Sequence, residues 1–367
     1  MLESDQPIQG FVSLIDNQTG DPSILDGTTT EGGQLMLPSA ANTGPFRSNL
    51  LNLKLSPNQA MVDVTALDRD TGQPIGAPLQ SLPIAANGYV SFNNILQALS
   101  VPDSYGPVEI HATNGASLVA VSQVSGVGAG TSSFFTAQGE SSGSQSEIIP
   151  FVIDSAAVRT NLGLNNLGNS NANFQIALIA VDGTTLDSTT SPIQVAPLGM
   201  VQINNIVRFL INGFSSSGVT YQQGYLRITI DQPFKAFATQ IDNISQDPSI
   251  ENSVHTGSSH LLLKSSANAN FQPALVIVNP NDAAVSVSVS SRQGEASGNG
   301  NITGTRSSTI APMGYIASNN ILRDIGASST FGPIEILSNS GSPVIAVSRV
   351  YSTTGNTSGF FAAQSLP

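Results

Sequence analysis

Residues 87–138 and 313–364 are two copies of one stretch. The first contains GYVSFNNILQALS and closes on SSFFTAQ; the second contains GYIASNNILRDIG and closes on SGFFAAQ. Gly88 and Gly314, Asn94 and Asn320, Gly106 and Gly332, Val124 and Val350, and Phe134 and Phe360 are each 226 positions apart, so no insertion or deletion separates the copies. A fixed period of this kind marks a repeat architecture, and it constrains the fold more than any local propensity does.

The underlying period is half as long. A more distant relative, GMVQINNIVRFL, lies between the copies at 199–210, followed by GYLRITI at 224–230 and FKAFATQIDN at 234–243. Asn94 to Asn205 is 111 positions and Asn205 to Asn320 is 115, the size of one small β-sandwich. The opening residues then acquire a meaning, because QPIQGFVSLIDNQTGDPSI at 6–24 matches QPFKAFATQIDNISQDPSI at 232–250, again 226 apart. Two kinds of module alternate, and the sequence opens on the last strands of one.

Composition agrees with an all-β class. Charged residues make up 10% of the 367, while Gly, Ser, Asn and Thr are abundant, and no Lys/Glu-rich run marks a long surface helix. With a net charge of −12 and no basic cluster interleaved with aromatics, nucleic acid and anionic membrane are not expected partners. The absence of cysteine excludes a disulfide framework, a thiol nucleophile and a cysteine zinc site. No apolar run approaches the roughly 18 residues of a membrane span, so membrane insertion is not expected, and the first residues do not read as a signal peptide.

Alternating segments such as MVDVTALD (61–68), FQIALIAVD (174–182) and AVSVSVSS (284–291) predict half-buried strands, with Asp68-Arg69-Asp70-Thr71-Gly72 and Asp182-Gly183 as hairpin turns. The period changes after each Asn-Asn-Ile. Ile95, Leu96 and Leu99, then Ile206, Val207 and Leu210, then Ile321, Leu322 and Ile325 sit at helical spacing behind an asparagine able to cap a turn. The expected fold is three tandem Greek-key-like, Ig-like β-sandwiches at 34–138, 146–250 and 260–367, each of about 110 residues with one helical turn. A partial repeat of one or two strands at 1–33 precedes them, and short linkers at about 139–146 and 251–259 suggest an extended rod.

The recurring grammar is Arg47-Ser48-Asn49-Leu50 and Arg159-Thr160-Asn161-Leu162, the three Asn-Asn-Ile turns, and Asp242-Asn243 with Asp247-Pro248. It resembles the tandem β-sandwich modules of large secreted and surface-exposed bacterial proteins, of the adhesin or surface-fibre type. The third module departs from it, with Gln272-Pro273 where the others carry Arg-Ser or Arg-Thr. The resemblance implies an extracellular location and work as a spacer, an adhesive surface or an appendage of a secreted enzyme.

Candidate site residues are few. His111, His255 and His260 fall in unrelated positions, with neither a G-x-S-x-G elbow nor an H-E-x-x-H spacing, so no catalytic group is expected and the chain does not read as an enzyme. Asp16 and Asp21, with Asp242 and Asp247, offer hard oxygens of the kind calcium takes, helped by Asn17 and Asn243; the other reading is an Asx turn followed by proline. No other cofactor is expected. Arg47 and Arg159 are expected to pair with a nearby carboxylate or carbonyl. The sequons at Asn17, Asn243, Asn301 and Asn356 count only where the source glycosylates them.

The last strands of a sandwich cannot bury their apolar face alone, so Ile8, Phe11, Val12 and Leu14 form a candidate assembly surface. The opening segment is part of a longer array, or folds back on the first module, or is donated to another subunit as an added strand, a head-to-tail contact that propagates as a filament. The expected function is structural: self-assembly, spacing or adhesion, with further copies of the chain or other surface proteins as partners. The alternative is a module binding carbohydrate or a host surface, with a glycan as partner. The absence of Trp argues against sugar stacking.

Overall fold

The computed structural model describes residues 10–27, 32–54, 57–128, 130–139, 144–212, 221–255, 257–268, 270–294, 300–327, 331–353 and 357–365. It is built almost wholly of antiparallel strands. An N-terminal hairpin pairs β1 (Phe11–Ile15) with β2 (Pro22–Asp26). The first sandwich comprises β3 (Gln34–Asn42), β4 (Phe46–Lys54), β5 (Ala60–Leu67), β6 (Pro74–Ile84), β7 (Tyr89–Phe92), α1 (Ile95–Ala98), β8 (Ser104–Ala112), β9 (Leu118–Gly126), β10 (Ser132–Thr136) and β11 (Gln138–Gly139). The second runs through β12 (Ser144–Ser155), β13 (Val158–Asn166), β14 (Ala172–Ile179), β15 (Thr185–Ser188), β16 (Ile193–Val195), β17 (Met200–Ile203), α2 (Ile206–Asn212), β18 (Tyr221–Asp242) and β19 (Pro248–Asn252). The third contains β20 (His260–Ser266), β21 (Phe271–Val278), β22 (Val285–Arg292), β23 (Ile302–Ile310), β24 (Tyr315–Ser318), α3 (Ile321–Asp324), β25 (Phe331–Ser338), β26 (Ile345–Ser352), β27 (Ser358–Ala362) and β28 (Gln364–Ser365).

Each sandwich has the same two layers. One layer reads β6-β5-β8-β3 in the first module and β23-β22-β25-β20 in the third. The other reads β7-β4-β9-β10 and β24-β21-β26-β27. In the second module one long strand serves both layers: the first half of β18 pairs with β12 and β14, and its second half with β13 and β19. The cause lies in the turn. Asn114-Gly115 and Ser340-Gly341 separate the corresponding strands in the other modules, whereas Asp231-Gln232-Pro233 has no glycine and the strand continues.

Alternation sets the core. In β5 the inward set Ala60, Val62, Val64 and Ala66 is buried while Met61, Asp63 and Thr65 are partly exposed. The helical turns close one end of each core. Asn94 Oδ1 accepts from Gln97 N at 3.2 Å, Asn320 Oδ1 accepts from Arg323 N at 3.2 Å, and Ile95 and Ile321 are buried beneath them.

The modules do not follow one another as a rod. The second sandwich leans on the first through Met36, Leu67 and Leu167, and on the third through Tyr225, whose hydroxyl donates to Met313 O at 2.7 Å. The hairpin turns carry these contacts. Gly72 (φ +68°) lies against Pro197 of the second module and Gly183 (φ +87°) against Pro312 of the third; an added Cβ would sit 1.8 and 2.0 Å from the two carbonyl oxygens. Meanwhile the N-terminal hairpin seats on the third module, where Ile24 packs with Val350 and Phe361. The extended arrangement suggested by short linkers therefore gives way to a closed cluster.

Candidate functional site: the junction of the repeats and an open sheet edge

Four equivalent strands, β2, β10, β19 and β27, converge where the modules meet and surround a cavity of about 70 Å³. The junction has a pseudo-two-fold symmetry, in which its principal contacts recur 226 residues away. Asp21 Oδ2 accepts from Ser132 N at 2.7 Å, and Asp247 Oδ2 accepts from Ser358 N at 2.7 Å. Ser23 Oγ donates to Ser132 O and Ser249 Oγ to Ser358 O, both at 2.6 Å. Phe11 meets Phe361 edge-on at 5.5 Å, as Phe237 meets Phe135 at 4.9 Å. One pair breaks the symmetry: Gln123 Nε2 donates to Ser132 Oγ, whereas Arg349 Nε donates to Ser358 Oγ.

The four aspartates proposed for calcium divide into two roles. Asp16 Oδ1 accepts from Gln18 N, Thr19 N and Thr19 Oγ1, and Asp242 Oδ1 accepts from Ile244 N, Ser245 N and Ser245 Oγ. Both are Asx turns, and these hydrogen bonds hold the Asp16 carboxyl below its usual range. Asp21 and Asp247 are instead 1% exposed, and burial pushes both carboxyls up, Asp247 further because it also feels the charge of Asp21. Oδ1 of each lacks a hydrogen-bond partner, as do the buried hydroxyls of Thr131 and Thr357. Among the described residues no group of three or more His, Cys, Asp or Glu is placed to hold a metal ion.

Other charges also join strands and repeats. Asp26 of the N-terminal hairpin pairs with Lys264 of the third module, whose ammonium lies over the Phe11 ring at 4.8 Å. Arg159 donates to Asn243 Oδ1 at 2.5 Å and to Gln246 Oε1 at 3.0 Å, tying β13 to the closing hairpin of its own module. The histidines stay apart: His111 is exposed, His255 Nδ1 lies 2.7 Å from Ser146 O, and His260 pairs with Glu335 at 2.7 Å. An apolar groove of about 300 Å³ between the first two sandwiches is lined by Phe46, Tyr105, Phe135 and Phe237 among others.

The proposed assembly residues lie on the N-terminal hairpin, Ile8 outside the described residues. Phe11, Val12 and Leu14 are 48%, 61% and 47% exposed, and Ile15 joins them at 48%. Their equivalents Phe237, Ala238, Gln240 and Ile241 are all buried. The hairpin pairs with itself and packs on its own chain, so it is not held out as a free strand. Its outer edge is open. In the three complete modules the strand equivalent to β1 lies between two others, β4-β9-β10, β13-β18-β19 and β21-β26-β27, but no described strand flanks β1 on its second side.

Asp16 N donates to Asp21 O and Gly27 N to Gly10 O, which places Gly10, Val12, Leu14 and Asp16 in register with β2. The N–H and C=O groups of Phe11, Ser13 and Ile15 consequently point away from it. Sequence pattern singles out the exposed apolar residues, but the direction of the edge follows only from these turn hydrogen bonds. No protein-family model matches the chain, and no curated protein is detectably similar to it in sequence.

Proposed function

We propose that the chain is an extracellular structural protein of tandem β-sandwich repeats, acting in self-assembly, spacing or adhesion at a bacterial cell surface. The observation that carries this reading is the outer edge of β1, which no strand among the described residues flanks and which bears exposed Phe11, Val12, Leu14 and Ile15. An apolar edge strand with free backbone groups is a template for pairing with another chain. The polar groups of the junction support the same reading, because Asp21, Asp247 and Lys264 hold strands and modules together.

Sedimentation and electron microscopy at rising concentration are expected to show association of the intact chain and its loss in Ser13→Pro, which removes one edge donor and leaves the β1–β2 pairs in place. A single monomeric species at every concentration would overturn self-assembly.

A further inference from the structure

The repeat contains its own template for what belongs on the open edge. In the second module the equivalent edge is covered by β13, in the register Arg159↔Ile241, Asn161↔Thr239 and Gly163↔Phe237. Subtracting 226 places Ile15, Ser13 and Phe11 at those three positions.

Two side-chain contacts narrow the occupant further. A Cβ on Gly163 would lie 2.1 Å from the Phe237 ring, so the strand must carry glycine there. Phe11 holds its ring against Phe361 at an interplanar angle of 83°, as Phe237 does against Phe135 at 82°, and so imposes the same demand. At the other end Arg159 reaches Asn243 Oδ1 and Gln246 Oε1. Asn17 stands at the position of Asn243 and is exposed. An arginine two residues before the asparagine of an R-[ST]-N-L strand would reach it.

A second surface points to the same occupant. Met200 and Tyr315 are each 2% exposed, buried where one sandwich leans on the next: Met200 N donates to Arg69 O, and Tyr315 meets the Tyr225 ring at 6.3 Å. Tyr89 occupies the corresponding place in the first module and is 67% exposed. Tyr89 and Tyr315 are the same residue 226 positions apart, and Tyr315 receives a module of the second kind.

We infer that the outer edge of β1 and the Tyr89 face of the first sandwich receive one β-sandwich segment of the kind spanned by residues 144–236, with its R-[ST]-N-L-G strand added antiparallel to β1. This deepens the structural reading by naming the partner's chemistry.

The probe is a labelled peptide with the sequence of residues 157–167, AVRTNLGLNNL, titrated against the full chain. The expected result is saturable binding, weakened at least tenfold when the peptide carries Gly163→Val and when the chain carries Ser13→Pro. It should weaken several-fold when the peptide carries Arg159→Ala. The Ser13→Pro chain should unfold at the same denaturant concentration as the parent, because the lost N–H faces outward. Absence of saturable binding overturns the assignment, as does binding indifferent to Ser13→Pro. Self-association abolished by Ser13→Pro, with no peptide binding, would identify a second copy as the occupant, and the assignment would fall while the assembly reading stood. Peptide binding by a chain that stays monomeric would support the assignment and remove self-assembly.

Discussion

Replacing Gly183 with alanine is expected to cost on the order of 3 kcal/mol of folding stability, combining left-handed backbone strain with a collision across a module boundary. Gly183 has φ +87°, and its added Cβ would lie 2.0 Å from Pro312 O and 3.0 Å from the Met313 carbonyl carbon, both backbone atoms that cannot rotate away. Gly115 provides the control. It has φ +70° with nothing within 4 Å of where a Cβ would stand, so Gly115→Ala carries the backbone term alone, about 1 kcal/mol. Denaturant midpoints of the two variants separate the terms. Equal losses would mean that the turn at Gly183 does not couple the second and third sandwiches.

Stability is expected to fall between about pH 4 and pH 8 and to recover when Asp247 is replaced by asparagine. Burial raises the Asp21 carboxyl to about 6 and the Asp247 carboxyl to about 8 from the ordinary 3.8. In that window the native state keeps protons that the unfolded chain has released, so stability declines as pH rises. The contribution is present in full below the unfolded value and is lost once both carboxyls have ionised. The amide introduced by Asp247→Asn would keep an acceptor for Ser358 N and would remove the carboxyl that burial and the charge of Asp21 push up. Denaturant midpoints at pH 5 and pH 9 check this: a large drop for the parent and a small one for Asp247→Asn. Equal drops would place the titrating group elsewhere.

Much of the fold is legible in the sequence because the repeat aligns residues that experience the same environment. The Asn94 and Asn320 caps, the alternation in β5 and the Asx turns at Asp16 and Asp242 are local devices, and local spacing reveals them. What one module presents to another is not local. Asp16 and Asp21 look alike in the sequence, yet one caps an exposed turn and the other is buried against Ser132, over a hundred residues away. Gly72 and Gly183 read as hairpin glycines, and only the docking of the following module shows why no side chain fits there. The rod expectation fails for the same reason: a period states which residues correspond, whereas the angle between modules follows from contacts such as Tyr225 on Met313 and Ile24 on Phe361. The open edge is intermediate. Its apolar residues stand out in the sequence, and their exposure needs the structure.

Amide hydrogen exchange on the intact chain compares two equivalent strands within one molecule and tests the open edge most directly. In dilute solution Phe11, Ser13 and Ile15 should exchange rapidly, while Phe237, Thr239 and Ile241, hydrogen-bonded to β13, should be protected by orders of magnitude. Raising the concentration should bring protection to the first set alone. Strong protection of Phe11, Ser13 and Ile15 in the dilute monomer would contradict the account, because the edge would already be covered within the chain.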